Sequence, residues 1–317
     1  MSKILLPIMM GRLAIGLVTL LIVAIVVFGA TMLLPGDVVE VMLGQAATPE
    51  AVAGLRSAMH LDDPAPLRFA YWFWGLLHGD LGQSYASDLP VAKLIASRLP
   101  NTLRLAAITA AISVPLSLFL GITAAVMRGR FYDRAVSILT VSVISVPEFV
   151  TATLAVLIFS VWLGWLPSLS HLYHADSLGA ILRAYAMPVI TLTFVVSAQM
   201  IRMTRAAVIE TLDSPYVEMA VLKGASPTRV VLHHALPNSL GPIVNAMALS
   251  LSYLLGGVII IETIFNYPGI ARLMVDAVAT RDLPLIQSCA MIFCIGYLIL
   301  VMLADIIALI ANPKLRG

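Results

Sequence analysis

The hydrophobic positions of this chain are gathered into six long stretches that polar connections separate. They lie at roughly 10–34, 101–127, 136–163, 186–205, 239–264 and 286–311. A helix needs about 20 apolar residues to cross the hydrocarbon core of a bilayer, and each stretch has at least that length. The pattern therefore predicts an all-α, polytopic membrane protein with six transmembrane helices.

Composition supports this prediction. Hydrophobic residues make up 60% of the 317 residues, charged residues make up 11%, and the mean hydropathy is +0.99. These values lie far outside the range of soluble globular domains. The formal net charge of +2 is explained by the membrane topology, so nucleic acid is not an expected partner.

Basic residues indicate the orientation of the spans. Most of those near the spans fall in connections on one side, namely Arg128, Arg130, Arg134, Arg202, Arg205, Lys223, Arg229, Lys314 and Arg316. The short connections on the other side carry only Arg183, Arg272 and Arg281. Because cytoplasmic connections are enriched in Lys and Arg, both termini are expected in the cytoplasm. The first stretch lacks a small-residue cleavage site and is expected to be a retained helix.

A polar segment between the fourth and fifth stretches predicts two short helices. Ser214-Pro215 and Ser226-Pro227 each combine an N-cap hydroxyl with a proline at the first helical position. Glu218 lies early in the first helix, where the helix dipole favours an anion. Gly224 stands where a left-handed residue would end that helix, and the second helix is expected to run to Leu236-Pro237.

This exposed pair of helices, at about 214–236, suits a protein that passes mechanical force to a partner. We interpret it as a docking surface on the cytoplasmic side. An ordinary connecting helix is the alternative, because short motifs occur by chance.

The connection from Pro35 to Pro100 is predicted to contain structure of its own. Thr48-Pro49-Glu50 is a further cap-and-proline signal and begins a short amphipathic helix. Four consecutive aromatic residues at 71–74 are typical of an interfacial belt at the level of the lipid headgroups. An aromatic platform for a ligand is the alternative.

The sequence lacks the motifs of an internal energy source or a catalytic site. It contains no G-x-x-x-x-G-K-[ST], no H-E-x-x-H and no G-x-S-x-G. His233 and His234 diverge by about 100° on a helix. His171 and His174 are better spaced but have too few further ligands to favour a metal. We expect no enzyme activity, metal or cofactor on this chain.

Glu148 follows Pro147 near the middle of the third stretch, where a carboxylate is costly. The proline is expected to loosen the helix and to expose backbone polar groups to the same cavity. Our hypothesis is that Glu148 lines a polar path and can meet a cationic group. A protonated or paired structural carboxyl is the alternative. Gln199 and Asn245 in neighbouring stretches fit such a path.

The polar segment resembles the cytoplasmic loop of ABC importer permeases. The family pattern is Glu-Ala-Ala, a glycine after three further residues, and Leu-Pro after eleven more. This chain matches it in type and spacing at Glu218, Ala220, Gly224, Leu236 and Pro237. Met219 replaces the middle alanine, which is a mild change.

Outside this loop the resemblance narrows to the first membrane subunit of the dipeptide/oligopeptide/nickel importer family. The outer loop of that subunit is similar to Leu34-Pro35-Gly36-Asp37, Ala47-Thr48-Pro49-Glu50, Leu61-Asp62-Asp63-Pro64 and Gly79-Asp80-Leu81-Gly82. Its connection between the fifth and sixth helices is similar to Glu262-Thr263-Ile264-Phe265, Pro268-Gly269, Arg281-Asp282 and Gln287. The match spans nearly the whole chain in the right order.

The resemblance implies a type I ABC importer permease fold. An N-terminal helix and extracytoplasmic loop would occupy 1–97, and a transmembrane domain with coupling helices at about 214–236 would occupy 98–311. A cytoplasmic tail would follow at 312–317. The implied location is the inner membrane of a prokaryotic cell.

The resemblance also implies the partners. These are a second homologous permease, two cytoplasmic ATP-binding subunits that hold ATP and Mg²⁺, and an extracytoplasmic solute-binding protein. The five matched loop residues would fit a cleft of an ATPase. The implied cargo is a di- or oligopeptide or a similar small solute, since relatives also carry nickel complexes, opines, glutathione and sugars. An ion-coupled secondary transporter and an intramembrane enzyme are the alternative classes.

Overall fold

The computed structural model describes residues 2–34, 36–170 and 177–311. Their α-helices are α1 Ser2–Met32, α2 Val38–Leu43, α3 Pro49–Ala58, α4 Ala65–Leu77, α5 Val91–Val126, α6 Phe131–Ser145, α7 Glu148–Ala155, α8 Leu178–Leu212, α9 Pro215–Leu222, α10 Pro227–Arg229, α11 Leu236–Ile264, α12 Ile270–Thr280 and α13 Leu283–Ala311. A 3-10 turn occupies Gly44–Ala46, and wide π-type turns occupy Val156–Trp162 and Val230–Ala235.

The apolar stretches became the long helices. Within the described ranges, five helical segments are long and apolar enough to cross a membrane, and a bent pair makes six if it counts as one span. Each of the six predicted stretches overlaps one of these segments. The predicted all-α, multi-pass fold is therefore confirmed.

The third stretch is broken rather than loosened. α6 ends at Ser145 and α7 begins at Glu148, and the two arms are bent by 104°. Val146 has the extended backbone (φ −96°, ψ 127°) that steric contact with a following proline imposes. Pro147 is also extended, with ψ 142°. A single continuous helix across 136–163 is therefore the wrong description.

The predicted end of the second polar helix at Leu236-Pro237 is also wrong. α10, the turn at Val230–Ala235 and α11 follow one another without a break and reach Ile264. A proline inside a helix removes one hydrogen bond and crowds the preceding turn. Here the preceding turn is of the wide π type, and the Asn238 amide donates to the carbonyl of His234 at 2.8 Å. Both features allow the helix to continue past the proline.

The chain forms two compact units. The central unit contains 103–267 and the end of α13, and the N-terminal unit contains 4–102 and 268–296. In the central unit α5 and α8 approach closely at Gly121. A Cβ at that position would lie only 2.8 Å from the Cβ of Thr204, so a larger residue would force the two helices apart.

In the N-terminal unit, residues far apart in the chain meet through polar contacts. The carboxylate of Asp282 is fully buried and accepts hydrogen bonds from the hydroxyl of Ser84 and, at 3.1 Å, from the backbone N–H of Tyr85. Gln287 donates to the hydroxyl of Thr31 at 2.8 Å. These contacts tie the end of α1 and the 84–86 loop to the start of α13.

The helices of the long connection form as predicted. Thr48 caps α3 by accepting from the N–H of Ala51 at 3.2 Å. Arg56 on the same helix pairs with Asp62 at 2.9 Å and with Asp37, and these carboxylates raise the pKa of its guanidinium, the Asp62 hydrogen bond contributing most. The connection is thus an ordered subdomain.

The aromatic cluster lies on α4, whose turn divides it between two faces. Tyr71 and Trp74 are each 66% exposed. Trp72 and Phe73 pack against Phe69, with ring centroids 5.9 Å and 5.6 Å apart. Only Tyr71 and Trp74 are exposed enough to serve as an interfacial belt or a ligand platform. Both functions stay predictions.

Candidate functional site

The polar segment folds around a tight turn at Gly224. Its φ of +83° is left-handed, as predicted. The N–H of Gly224 donates to the carbonyl of Val221 at 2.9 Å, and the N–H of Ala225 donates to that of Ala220 at 3.1 Å. These two bonds are the Schellman arrangement that ends a helix at a left-handed residue. They place the backbone of Ala220 and the turn at Gly224 in one hydrogen-bonded arrangement.

The predicted serine caps do not form in this segment. Ser214 and Ser226 precede α9 and α10, as expected, but neither hydroxyl accepts a cap hydrogen bond. The Ser214 hydroxyl donates instead to the carbonyl of Thr211 in the last turn of α8. Serine hydroxyls form such local bonds to the backbone readily. The start of each helix therefore depends on Pro215 and Pro227.

The segment exposes apolar side chains, although it is a polar connection. Its buried contacts are made by Val217, Val230 and Ala235. Large apolar side chains at the surface are Tyr216 (44% exposed), Met219 (52%), Val221 (55%), Leu222 (73%) and Leu232 (52%). A contiguous apolar patch rimmed by polar residues is typical of a protein–protein contact.

The five motif residues divide into two groups. Glu218, Gly224 and Pro237 are exposed, whereas Ala220 and Leu236 are half-buried. Leu236 packs on a buried cluster that includes Ala207 and Val208 of α8 and Ile243 of α11. It therefore anchors the segment, while the exposed residues are free to contact a partner.

A cavity of about 440 Å³ opens in the central unit where the third span is broken. α6 contributes Val143 and Ile144 to its wall, and the break contributes Val146, Pro147 and Glu148. α8 and α11 complete it, so three spans meet around the extended backbone. The break at Pro147 therefore lies on the wall of a cavity, while exposure of its backbone polar groups to that cavity stays a prediction.

Glu148 is the carboxylate of this cavity. It is half-buried in the first turn of α7, where the helix dipole favours an anion. The hydroxyl of Tyr253 on α11 lies beside it on the same cavity wall. Gly257, one turn further along α11, leaves room for the carboxylate, since a Cβ there would lie 3.0 Å from Oε2. The carboxylate thus lies against α11 with one face open to the cavity.

The structure brings together one of the two predicted companions of Glu148. Gln199 lines the same cavity, and its Oε1 accepts a hydrogen bond from Arg202 at 3.3 Å. Asn245 is exposed and does not belong to the cavity wall. Asn245 lies about two turns before Tyr253 on α11 and is therefore not part of this cavity. Its place on a polar path stays a prediction.

Sequence reasoning missed the residues of α11. Ser250, Tyr253 and Gly257 lie at spacings of three and four, which is one face of a helix. That stripe of small and polar residues in an apolar span was a detectable signal. It did not indicate which carboxylate would face it.

The described residues contain no group of three His, Cys, Asp or Glu side chains placed to hold a metal ion. His171, His174 and Asp176 lie outside the described residues.

Comparison with known proteins identifies the family. The family described as "Binding-protein-dependent transport system inner membrane component" matches residues 117–317, and its N-terminal companion family matches 5–106. The chain belongs to this permease family. The permease is thus a multi-pass inner-membrane component of an ABC importer.

Relatives of similar length align with nearly the whole permease. It is 37% identical over 305 residues to a peptide transport system permease protein of Brucella abortus, covering 96% of this chain and 97% of that protein. It is 39% identical over 298 residues to the glutathione transport system permease protein of Salmonella typhimurium, covering 94% and 95%. The resemblance read from the motifs is confirmed.

The close contact between Gly257 and Glu148 predicts a stability difference between two adjacent glycines. Gly257→Leu is expected to lower the free energy of unfolding of the permease by about 1–3 kcal/mol, because the new side chain must displace the carboxylate. Gly256→Leu is the control, since Gly256 is exposed and a Cβ there meets nothing within 4 Å. Thermal unfolding in lipid nanodiscs measures both, and equal melting temperatures would contradict the prediction.

Proposed function

We propose that this permease forms half of the path through which an ATP-driven importer carries di- or oligopeptides, or a similar small solute, across the inner membrane. The observation that carries the proposal is the exposed two-helix segment at 215–235. The expected partners of the permease are two cytoplasmic ATP-binding subunits that hold ATP and Mg²⁺, a second homologous permease and an extracytoplasmic solute-binding protein. The names of the relatives, which refer to peptides and glutathione, support a peptide-like cargo.

The docking function is supported by how the segment joins the spans. α8 leads into it, and α11 leaves it without a break. A displacement of the segment by an ATPase would therefore move two spans directly. The exposed Glu218 and the apolar patch at 216–222 offer a partner both an anion and an apolar contact.

The orientation of the spans is part of the proposal. The basic residues near Gly129 and near Gly224 favour the cytoplasm for both termini and for the two-helix segment at 215–235, which we call the docking segment. The ordered 36–100 connection would then face the solute-binding protein. We propose two functional regions. Residues 1–97 form the N-terminal helix and extracytoplasmic loop, and residues 98–311 form the transmembrane domain with the docking helices. A cytoplasmic tail follows at 312–317.

We further propose that Glu148 lies on the path of the cargo and meets a cationic group such as a peptide ammonium. The polar side chains of the cavity are those of Glu148, Gln199, Ser250 and Tyr253, and its other lining residues are apolar. Irregular backbone at membrane depth is tolerated where it lines a water-filled cavity, so the break at Pro147 supports this location of the path.

Purification of the tagged permease from its native membrane, followed by the mass of the intact assembly, tests the function. The expected assembly contains a second permease and two nucleotide-binding subunits. Recovery alone, or as a homo-oligomer that transports without ATP, would contradict the proposal and favour an ion-coupled secondary transporter.

Gly224→Asp is expected to separate ATP hydrolysis from uptake. A carboxylate at the turn would intrude on the surface that meets the ATPase, while membrane insertion should be intact because a Cβ at Gly224 meets nothing within 4 Å. Uptake and ATP hydrolysis are measured in proteoliposomes. Gly164→Asp is the control, because Gly164 is also left-handed (φ +64°) and open but lies outside the segment. Normal coupled uptake in Gly224→Asp would count heavily against docking.

Glu148→Gln is expected to reduce uptake of peptides with a free amino terminus about tenfold, since a hydrogen bond between charged groups contributes about 1.5–3 kcal/mol. Uptake of the same peptides with acetylated amino termini should change little. Glu210→Gln, at an exposed carboxylate of α8, is the control. If Glu148→Gln assembles normally and transports both peptides at the wild-type rate across pH, the carboxylate is structural.

A further inference from the structure

An ion pair with a buried carboxylate joins α6 to α8 in the central unit. Nε of Arg205 lies 2.5 Å from Oδ1 of Asp133, and Nη2 lies 2.9 Å from Oδ2. The Asp133 side chain is 5% exposed and that of Arg205 is 27% exposed. The N–H of Gly129 also donates to Oδ2 at 2.9 Å. Two parallel bonds between planar groups fix orientation as well as distance.

The ion pair and the Glu148 cavity lie at two positions along the same pair of helices. Val143 is ten residues after Asp133 on α6, and Val195 is ten residues before Arg205 on α8. Both valines line the cavity, so the two helices run antiparallel and in register. Ten residues of α-helix span about 15 Å, which is the distance between the ion pair and the cavity wall.

The ion pair is also close to the docking segment. Arg205 lies about two turns before the end of α8 at Leu212, and α9 begins at Pro215. α6 has no direct chain connection to that segment. A displacement that enters through α8 can reach α6 through contacts between these two helices. Asp133–Arg205 is a directional contact of this kind, because it is charged, bidentate and built on a buried carboxylate.

We infer that Asp133 and Arg205 are positioning residues that make α6 follow α8 when the docking segment moves, and so displace the Val143–Glu148 wall of the cavity. This inference rests on the proposed function of the segment. Breaking one side of a buried pair leaves an uncompensated charge, which would release the register of α6 against α8. The cavity wall would then cease to follow the ATPases.

A second ion pair between nearly the same elements provides a matched control. Nη1 of Arg128, just before α6, lies 2.8 Å from Oδ2 of Asp213, just after α8. Their side chains are 56% and 61% exposed. Exposed pairs contribute little in water, so this pair should not transmit movement.

The experiment compares Asp133→Asn, Arg205→Gln and the reversed double variant Asp133→Arg/Arg205→Asp with Arg128→Gln in the assembled importer in proteoliposomes. Both single variants are expected to keep ATP hydrolysis within about twofold of wild type and to lose at least fivefold of the uptake per ATP hydrolysed. The reversed pair should recover at least half of the loss, and Arg128→Gln should match wild type. A parallel fall of uptake and hydrolysis, or an equal loss in Arg128→Gln, would overturn the inference.

A distance measurement separates this inference from the proposed function. Spin labels at Ile144 and Phe194, which are 42% and 48% exposed, are placed in a permease with Cys289 and Cys294 replaced by Ser. Wild type should give a narrow distribution of distances, Asp133→Asn a broad one, and the reversed pair a narrow one again. This measurement needs neither ATP nor cargo. If the distribution broadens in Asp133→Asn but the wild-type importer shows no ATP-driven uptake, only the proposed function is contradicted. An unchanged distribution in Asp133→Asn would overturn the register role itself.

Discussion

The structure depends on one constraint, which is that the hydrocarbon core of a bilayer offers no hydrogen bonds to the backbone. The spans satisfy their N–H and C=O groups by remaining helical across the apolar stretches. In the third span, the extended residues Val146 and Pro147 interrupt the helix and its backbone hydrogen bonds. They lie on the wall of the Glu148 cavity, where water can replace the missing partners. The position of the cavity therefore follows from the position of the proline.

The same constraint separates the polar segment from the spans. Its two helices are too short to be stable alone, and the Schellman turn at Gly224 together with the buried Val217 and Val230 holds them together. Pro237 would normally end the second helix, but the wide turn before it lets α11 continue. The segment is therefore rigidly attached to the span that carries Tyr253 and Gly257, which suits the proposed transfer of force.

Polar contacts hold each unit in register where apolar packing would permit sliding. In the N-terminal unit, the buried carboxylate of Asp282 binds the 84–86 loop. In the central unit, Asp133 and Arg205 pair between antiparallel helices. Apolar surfaces in lipid have no hydrophobic drive to associate, so directional bonds and close approach at small residues such as Gly121 decide which helices meet and at what height.

The sequence by itself determined what depends on neighbouring residues. The six apolar stretches, the cap at Thr48 and the left-handed turn at Gly224 were predictable, because each depends on length or on contacts within about five residues. Glu148 and Gln199 were identified as candidates because polar side chains are rare in apolar spans. The break at Pro147 was foreseen only as a loosening, since a proline in a span can kink, break or be tolerated according to its surroundings.

Only the tertiary structure decided which residues share the cavity. Tyr253 and Gly257 meet Glu148 across more than a hundred residues of chain, whereas Asn245 lies on the same helix and does not. The height of a residue along α11 and the rotation of that helix about its own axis together make that choice. It is set by packing against α8 and α7 rather than by any local pattern.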